Sequence, residues 1–222
     1  MTITQIIKPA YVTFTGVDRV EILPKLKELS ARYPIEWGVL LDPKQEDHIL
    51  FPTEDERKEI QSSGLRLSAH ICGVPASEIV NGTRPSYLNL DGFSRLQINH
   101  SRDGSTEDNI KNAHDFATSM GMRPALQCQG DFPTELRADW LYDVSFGLGT
   151  RPTEWPKLNS KGTFCGYSGG ISPETVQATM KALPLSESDN GKFWIDMESG
   201  VRTNDLLDVE KCEQVCKIVF GY

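Results

Sequence analysis

The sequence lacks a long apolar run and an excess of basic residues. No apolar stretch approaches the roughly 18 residues that cross a bilayer, so the chain is predicted not to span a membrane. With 23 basic and 31 acidic residues, the net charge is −8. This balance disfavours a broad electrostatic contact with nucleic acid or with an anionic membrane surface. An anionic ligand would therefore need a local group of backbone amides or a few basic side chains.

The sequence also lacks a cysteine or histidine pattern typical of disulfides or metal sites. It has five cysteines, an odd number, and no Cys-x-x-Cys spacing. We expect reduced, buried thiols in a cytoplasmic protein, because the N-terminus shows neither the charged start nor the apolar core of a signal peptide. The four histidines are scattered. No metal site and no cofactor are predicted, and the oligomeric state is left open.

What the sequence does contain is a regular alternation of short β-like runs and helical segments, with no linker or low-complexity block. Eight strands are predicted, with bounds Tyr11–Gly16, Glu36–Asp42, Leu65–Gly73, Arg95–His100, Ala125–Gly130, Leu141–Phe146, Thr163–Ser168 and Phe193–Ser199. The helical segments are Val20–Tyr33, Glu54–Ser63, Thr106–Met120, Pro173–Leu183 and Leu206–Val219, with weaker ones at Pro75–Asn81, Thr134–Trp140 and Thr153–Leu158. Eight interleaved pairs predict an α/β protein, a single-domain (β/α)8 TIM barrel over residues 1–222. A doubly wound open sheet is the alternative.

Side chains of one parity along the predicted strands are unusually polar. Successive residues of a strand face opposite sides, so one parity faces the helices and the other faces the barrel interior. The outward parity is apolar, as in Val12 and Phe14. The inward parity includes His70, Gln97, Gln127 and Asp196, whereas barrel interiors are normally filled with aliphatic side chains. Buried polar groups need hydrogen bonds, so we expect a polar network deep inside and a polar pocket at the C-terminal mouth.

Two glycine turns predict an anion site at that mouth. Gly169-Gly170 follows the seventh predicted strand and precedes a helix that would start with Ser172 as N-cap and Pro173. Ser199-Gly200 follows the eighth strand. Glycine lets the backbone approach a ligand closely, and phosphate sites of these barrels are built from the loops after strands 7 and 8.

The sequence resembles the phosphoribosylanthranilate isomerase family around these turns. Ser168-Gly169-Gly170-Ile171 with Pro173-Glu174-Thr175-Val176 is similar to that family's Ala-Gly-Gly-Leu followed by a Pro-Glu-Asn-Val-like helix start. The run from Ile195 to Val201 is similar to its Val-Asp-Val-x-Ser-Gly-Val. Weaker similarities lie at Leu141–Asp143, Gly147–Trp155, Leu96–Asn99 and Gly38–Lys44. The resemblance implies a TIM barrel that binds a phosphorylated sugar, with Asp143 at the position of the family's general acid.

The sequence departs from this family at two functional positions. Thr15 stands where the resemblance implies the general base, a cysteine, and a threonine hydroxyl is too weak an acid to serve unaided. Asp47 stands where the family has an arginine that binds the substrate, so an aromatic acid of the family's type would be repelled. Glu198 is the leading replacement base, with Asp42 and His100 as alternatives.

Two main functional hypotheses follow. The first is an isomerase-like enzyme, with Asp143 and Glu198 as catalytic residues acting on a changed phosphorylated substrate. The second is a non-catalytic protein that senses or sequesters a phosphorylated metabolite or nucleotide, with Tyr11 or Trp194 stacking on a ring. A purely structural role is a third, disfavoured by the polar strand ends. The predicted ligand-binding residues are Gly169, Gly170, Ser199, Gly200, Thr15, Asp42, Gln97, Asn99, Gln127, Gln129 and Arg151.

Overall fold

The computed structural model describes residues 7–45, 48–100, 104–145, 148–159 and 162–221. Eight parallel strands form a closed barrel, in which each strand pairs with the next and β8 pairs with β1. The strands are β1 Tyr11–Thr15, β2 Ile35–Leu41, β3 Leu67–Ile71, β4 Arg95–Ile98, β5 Pro124–Cys128, β6 Asp139–Tyr142, β7 Cys165–Tyr167 and β8 Phe193–Met197. The predicted barrel is therefore confirmed, and the open-sheet alternative is wrong. None of the helices in the described ranges is long and apolar enough to cross a membrane.

Helices cover most of the outside of the barrel. They are α1 Leu23–Ser30, α2 Glu54–Gln61, α3 Gly73–Val80, α4 Glu107–Thr118, α5 Val176–Ala182 and α6 Val209–Phe220. Helix α5 begins three residues later than predicted, because the Ser172 hydroxyl donates to the Glu174 carboxylate instead of capping the helix. The predicted segment Leu206–Val219 starts as a two-stranded ribbon, β9 Arg202–Thr203 with β10 Leu206–Leu207, and only then becomes helical. Asp208 caps α6 by accepting from the backbone of Glu210 and Lys211.

The predicted helices at Thr134–Trp140 and Thr153–Leu158 are wrong. In the described parts of the chain, β5, β6 and β7 are joined by irregular loops. Pro152 and Pro156 interrupt the second loop, and proline cannot supply the backbone donor that a helix interior needs. Aromatic packing covers these strands instead, since the Trp155 ring lies 5.9 Å from the Tyr142 ring and 5.8 Å from the Tyr167 ring.

The two faces of the strands differ as the parity predicts. The outward side chains form the main apolar core with the helices, including Val12, Phe14, Trp37 and Ile195. A smaller cluster of Tyr11, Leu141 and Trp194 lies inside the barrel. The remaining interior is largely polar. Its lower part contains the hydrogen bonds from Arg95 and Thr13 to Glu36, while Arg95 Nη1 and Trp194 Nε1 are buried there without a partner among the described residues.

An ion pair and aromatic rings close the N-terminal end of the barrel. Arg95 donates to Glu36 through Nε at 3.1 Å and through Nη2, and Thr13 also donates to this carboxylate. Trp194 stacks on Phe164 with ring centroids 4.9 Å apart, and the Arg95 guanidinium lies 4.4 Å from the Trp194 ring. Tyr11 lies 6.3 Å from the Trp194 ring. Both rings are buried in this layer, so the hypothesis that either stacks on a ligand is wrong.

Candidate functional site

A cavity of about 450 Å³ opens at the C-terminal ends of the strands. This is where barrels of this architecture place their sites, and the volume lies in the range of small-molecule pockets. Of the residues predicted from sequence, the structure brings to the cavity Thr15, Gln97, Asn99, Gln127, Asp143, Gly169, Gly170, Glu198 and Ser199. Strand alternation accounts for the residues that lie on strands, Thr15, Gln97 and Gln127, because residues two apart on a strand face the same side.

The glycine turn, defined as Gly169, Gly170 and Ile171, forms one rim of the cavity. Gly169 has φ +112° and Gly170 has φ +60°, conformations that favour glycine. Within the described residues, the backbone N–H groups of these three residues have no hydrogen-bond acceptor. Successive unpaired N–H groups in such a turn form a concave anion-binding surface.

The second turn packs directly against the first. A Cβ built on Gly200 would collide with the carbonyl oxygen of Ile171 and lie 3.0 Å from the Ser172 Cβ. Gly200 therefore serves close backbone packing, and it is not among the cavity-lining residues. Ser199 is exposed and lines the cavity beside the glycine turn. The two turns are adjacent, as the anion-site prediction requires.

Asp143 is held rigidly at the end of β6. Its Oδ1 accepts from the Ser145 backbone N–H at 2.8 Å and from the Ser145 hydroxyl at 2.9 Å. Its Oδ2 accepts from the Gln127 side-chain amide at 2.9 Å. These bonds fix the orientation of the carboxyl group toward the cavity, which a proton-transfer group needs.

Glu198 faces the same cavity from the end of β8. Burial raises the pKa of its carboxyl group, the nearby Arg202 partly offsets this, and the negative charge of Asp143 adds to it. A carboxyl group with a raised pKa is a stronger base than an ordinary glutamate and exchanges protons closer to neutral pH. Glu198 and Asp143 thus form a pair of carboxyl groups in different environments, an arrangement typical of acid–base sites.

A buried hydrogen-bond network surrounds Thr15 at the end of β1. The Thr15 hydroxyl donates to Asp196 Oδ1 at 2.8 Å and lies 3.4 Å from His70 Nδ1. His70 Nε2 lies 3.0 Å from the Ser68 hydroxyl. Burial and the Arg95 charge lower the pKa of His70 to about 3, so its ring is neutral near pH 7. Burial raises the pKa of Asp196 to about 7, with Thr15 and Arg95 opposing this shift.

Several sequence-predicted site residues lie outside the cavity. Gln129 is exposed beyond the end of β5, and Asp42 is buried where it accepts from the Lys44 backbone N–H at 3.1 Å. Arg151 is exposed and lines a separate surface groove with Trp155. Asp42 and Gln129 directly follow strand ends, as Asp143 and Glu198 do, so this position alone does not decide which residues reach the cavity, and Arg151 lies in a loop. Asp47 lies outside the described residues.

Sequence reasoning missed some cavity residues that the structure adds. Asp196 lines the cavity one layer below Glu198, and Cys72, Ser145 and Ser168 also line it. His100, predicted as an alternative base, lines the cavity as well. Cys72 accepts a hydrogen bond from the Asn99 amide at 3.4 Å, and burial raises the pKa of its thiol to about 11. Parity identified Asp196 and Cys72 as inward-facing, but gave no reason to separate them from the buried network.

Comparison with solved structures identifies the architecture. Phosphoribosylanthranilate isomerase from Thermotoga maritima superposes with a TM-score of 0.62 at 13% identity, over 96% of this chain and 99% of that one. The same enzyme from Pyrococcus furiosus gives 0.59 at 14% identity, over 96% and 99%. Hexulose-6-phosphate synthase from Salmonella typhimurium gives 0.56 at 11% identity, over 94% and 98%. The chain is a TIM barrel. Identities this low show the fold alone.

No protein-family model matches this sequence, and no curated protein sequence matches it significantly. The chemistry of this TIM barrel must therefore be argued from its own cavity. In the described part of the chain, no group of three or more His, Cys, Asp or Glu side chains is placed to hold a metal ion. The described lining contains Asp143, Asp196 and Glu198 but no lysine or arginine.

Proposed function

We propose that the C-terminal cavity binds a small phosphorylated sugar or nucleotide, with the phosphate on the glycine turn. The observation that carries this proposal is the set of three successive N–H groups, at Gly169, Gly170 and Ile171, with no acceptor among the described residues. Backbone amides bind phosphate without a basic side chain, which fits the absence of lysine and arginine from the described lining. The sequence resemblance to phosphoribosylanthranilate isomerase at the same turns supports it further.

The chemistry that fits the cavity is an acid–base isomerisation of the sugar. Glu198, with its raised pKa, would remove a proton from the carbon beside the carbonyl group. Asp143, held by Gln127 and Ser145, would protonate the carbonyl oxygen. Both groups belong to one cavity and lie in different environments, as such a reaction requires. The substrate differs from that of the resembled family, since Thr15 and not cysteine ends β1.

A non-catalytic binding protein is the second candidate, and one observation favours it. The Thr15 hydroxyl is engaged with Asp196 at 2.8 Å, so the position of the resembled family's base holds a hydrogen-bonded structural group. A barrel with a phosphate turn and no working base would bind a phosphorylated metabolite without converting it. The two candidates predict the same phosphate site and different outcomes for turnover.

The phosphate site is tested by placing a negative charge beside the glycine turn. Ser199→Asp should weaken binding of glucose 6-phosphate at least about tenfold, because like charges at close range cost more than the 1.4 kcal/mol of a tenfold change. Ser199→Asn, of the same size and uncharged, is the matched control and should bind within about threefold of the unchanged protein. The dissociation constants are measured by titration calorimetry. Equal binding by all three proteins would place the phosphate elsewhere.

The proposed chemistry is tested by hydrogen exchange at the substrate carbon. Incubation with aldose phosphates in D2O should place deuterium beside the carbonyl group, detected by proton NMR. Asp143→Asn should slow this at least about 100-fold, since general acid–base groups contribute factors of that order. Asp131→Asn makes the same change at an exposed residue and should have no effect. Binding without any deuterium incorporation by the unchanged protein would support the second candidate.

A further inference from the structure

The deepest part of the cavity presents two hydrogen-bond acceptors without donors. Asp196 Oδ2 and Gln97 Oε1 are buried and have no partner among the described residues. Their side chains are each 4% exposed, and both line the cavity. We call these two atoms the acceptor floor. Buried polar atoms are normally paired, so an unpaired pair facing a cavity indicates a ligand that supplies donors.

The internal hydrogen bonds of the floor residues leave Asp196 Oδ2 and Gln97 Oε1 unpaired. Asp196 Oδ1 is occupied by the Thr15 hydroxyl, and the Gln97 amide nitrogen donates to Asn99 Oδ1 at 3.3 Å. Arg95 lies below, where its Nε and Nη2 donate to Glu36 and its Nη1 is buried without a partner among the described residues. When Asp196 is ionised, the floor therefore offers two unpaired acceptors to a ligand, beside the second N–H of the Gln97 amide.

The floor and the glycine turn lie at opposite ends of the cavity. Asp196 precedes Glu198 by two residues on β8, and Gln97 precedes Asn99 by two residues on β4. Each is one layer deeper, or about 7 Å at 3.3 Å per residue. The glycine turn follows the end of β7 and lies at the rim. A ligand with its phosphate on the turn would direct its other end to the floor.

The charge of the cavity favours some donor groups over others at the end of the ligand that reaches the floor. Three carboxyl groups line the cavity, Asp196 at the floor and Asp143 and Glu198 at the strand ends above it, and the described lining has no cationic side chain. A carboxylate on the ligand would be repelled and would leave both floor acceptors unpaired. Hydroxyl groups would pair with them, and a protonated amine would also gain from the negative charge.

We propose that the ligand is an amino-sugar phosphate, whose ammonium group donates to Asp196 Oδ2 and Gln97 Oε1. This inference rests on the proposed phosphate site and adds the chemical class of the ligand. It also states an exclusion, namely that a sugar acid phosphate is rejected. The glycine turn would bind the phosphate at one end of the ligand, and the floor would bind the ammonium group at the other, so the two ends fix its orientation.

The test uses three hexose phosphates that share the 6-phosphate and differ in the rest. Glucosamine 6-phosphate carries an amine, glucose 6-phosphate carries hydroxyls, and 6-phosphogluconate carries a carboxylate. Titration calorimetry at pH 7 should rank affinity in that order, with the amine at least about tenfold tighter than the carboxylate, since juxtaposed like charges cost several kcal/mol. Equal or tighter binding of 6-phosphogluconate would overturn the inference.

A floor variant separates specificity from general binding. Asp196→Asn keeps the oxygen that accepts from Thr15 and replaces the free acceptor with a donor. Binding of glucosamine 6-phosphate should weaken at least about fivefold, because one charged hydrogen bond is lost. Binding of 6-phosphogluconate should not weaken. Asp131→Asn is the matched control at an exposed site and should keep the ranking. An unchanged ratio of the affinities for glucosamine 6-phosphate and 6-phosphogluconate in Asp196→Asn would contradict a role for the floor.

The outcomes distinguish the two proposals. If Ser199→Asp weakens the binding of all three compounds but the order of affinities differs from the predicted one, the phosphate site stands and the floor inference is wrong. If none of the three binds, or if Ser199→Asp weakens none, the phosphate site is wrong and the floor inference falls with it. Only the predicted ranking, together with a smaller affinity ratio of amine to carboxylate in Asp196→Asn, supports both.

Discussion

Arg95→Ala is expected to lower the free energy of unfolding by about 3–5 kcal/mol, the cost of leaving a buried charge unpaired. Arg95 is 5% exposed, and its partner Glu36 is fully buried beneath the cavity. Without Arg95, the Glu36 carboxylate keeps the Thr13 hydroxyl and a 3.3 Å contact with Arg66, whose side chain is 49% exposed. These groups screen the charge only in part, so most of the penalty should remain.

Urea unfolding at pH 7, followed by circular dichroism, measures this loss. The double variant Glu36→Gln with Arg95→Met should cost clearly less than Arg95→Ala alone, since it removes both charges and keeps most of the volume. Lys58→Ala breaks an exposed ion pair with Glu54 and should change stability by less than about 1 kcal/mol. A loss below about 1 kcal/mol for Arg95→Ala would contradict a structural role for the pair.

Asp196→Asn is expected to stabilise the protein above pH 7 and to flatten its stability between about pH 4 and pH 7. Burial raises the pKa of this carboxyl group from 3.8 to about 7 in the folded state. The folded protein therefore holds a proton that the unfolded chain releases. This contribution to stability is fully present below pH 3.8 and is lost as the pH rises to about 7.

Asparagine removes this pH-dependent penalty but buries a new amide group. We expect a net gain on the order of 2 kcal/mol at pH 8, from several kcal/mol of relieved charge burial less the cost of an unpaired amide donor. Urea unfolding at pH 4.5, 6 and 8 measures the difference between variant and unchanged protein. Only the difference is informative, because His70, with its pKa lowered to about 3, contributes the opposite slope below its ordinary value of 6.5. A difference that is constant with pH would contradict the raised pKa of Asp196.

Much of the barrel was predictable because its strands are short, apolar on one parity and separated by helical periodicity. All eight strands were located within a few residues, and the helices with strong apolar spacing, such as α1 and α4, were found. The exceptions are the segments around Thr134–Trp140 and Thr153–Leu158, where proline and aromatic side chains build loops that cover β6 and β7. The local sequence pattern cannot distinguish such an aromatic loop from a short helix, because the rings that it packs against lie on strands distant in the sequence.

The candidate site was predictable where a residue lies on a strand, as Gln97 and Gln127 do. Directly past the strand ends the outcome varies, since Asp143 lines the cavity and Gln129 does not, and Arg151 lies in a loop where no periodicity constrains its direction. The sequence also contains no sign that Asp196 has an unpaired oxygen facing the cavity. Its free oxygen is known only once Thr15, His70 and Gln97, from three other strands, are seen around it.

The amino-acid sequence by itself determined the barrel, the side of each strand that faces inward, and the two adjacent glycine turns, because alternation and backbone freedom are local properties. The tertiary structure decided which polar residues pair with one another and which are left open to a ligand. Pairing depends on distances of about 3 Å between residues far apart in the chain, and only closure of the barrel sets those distances.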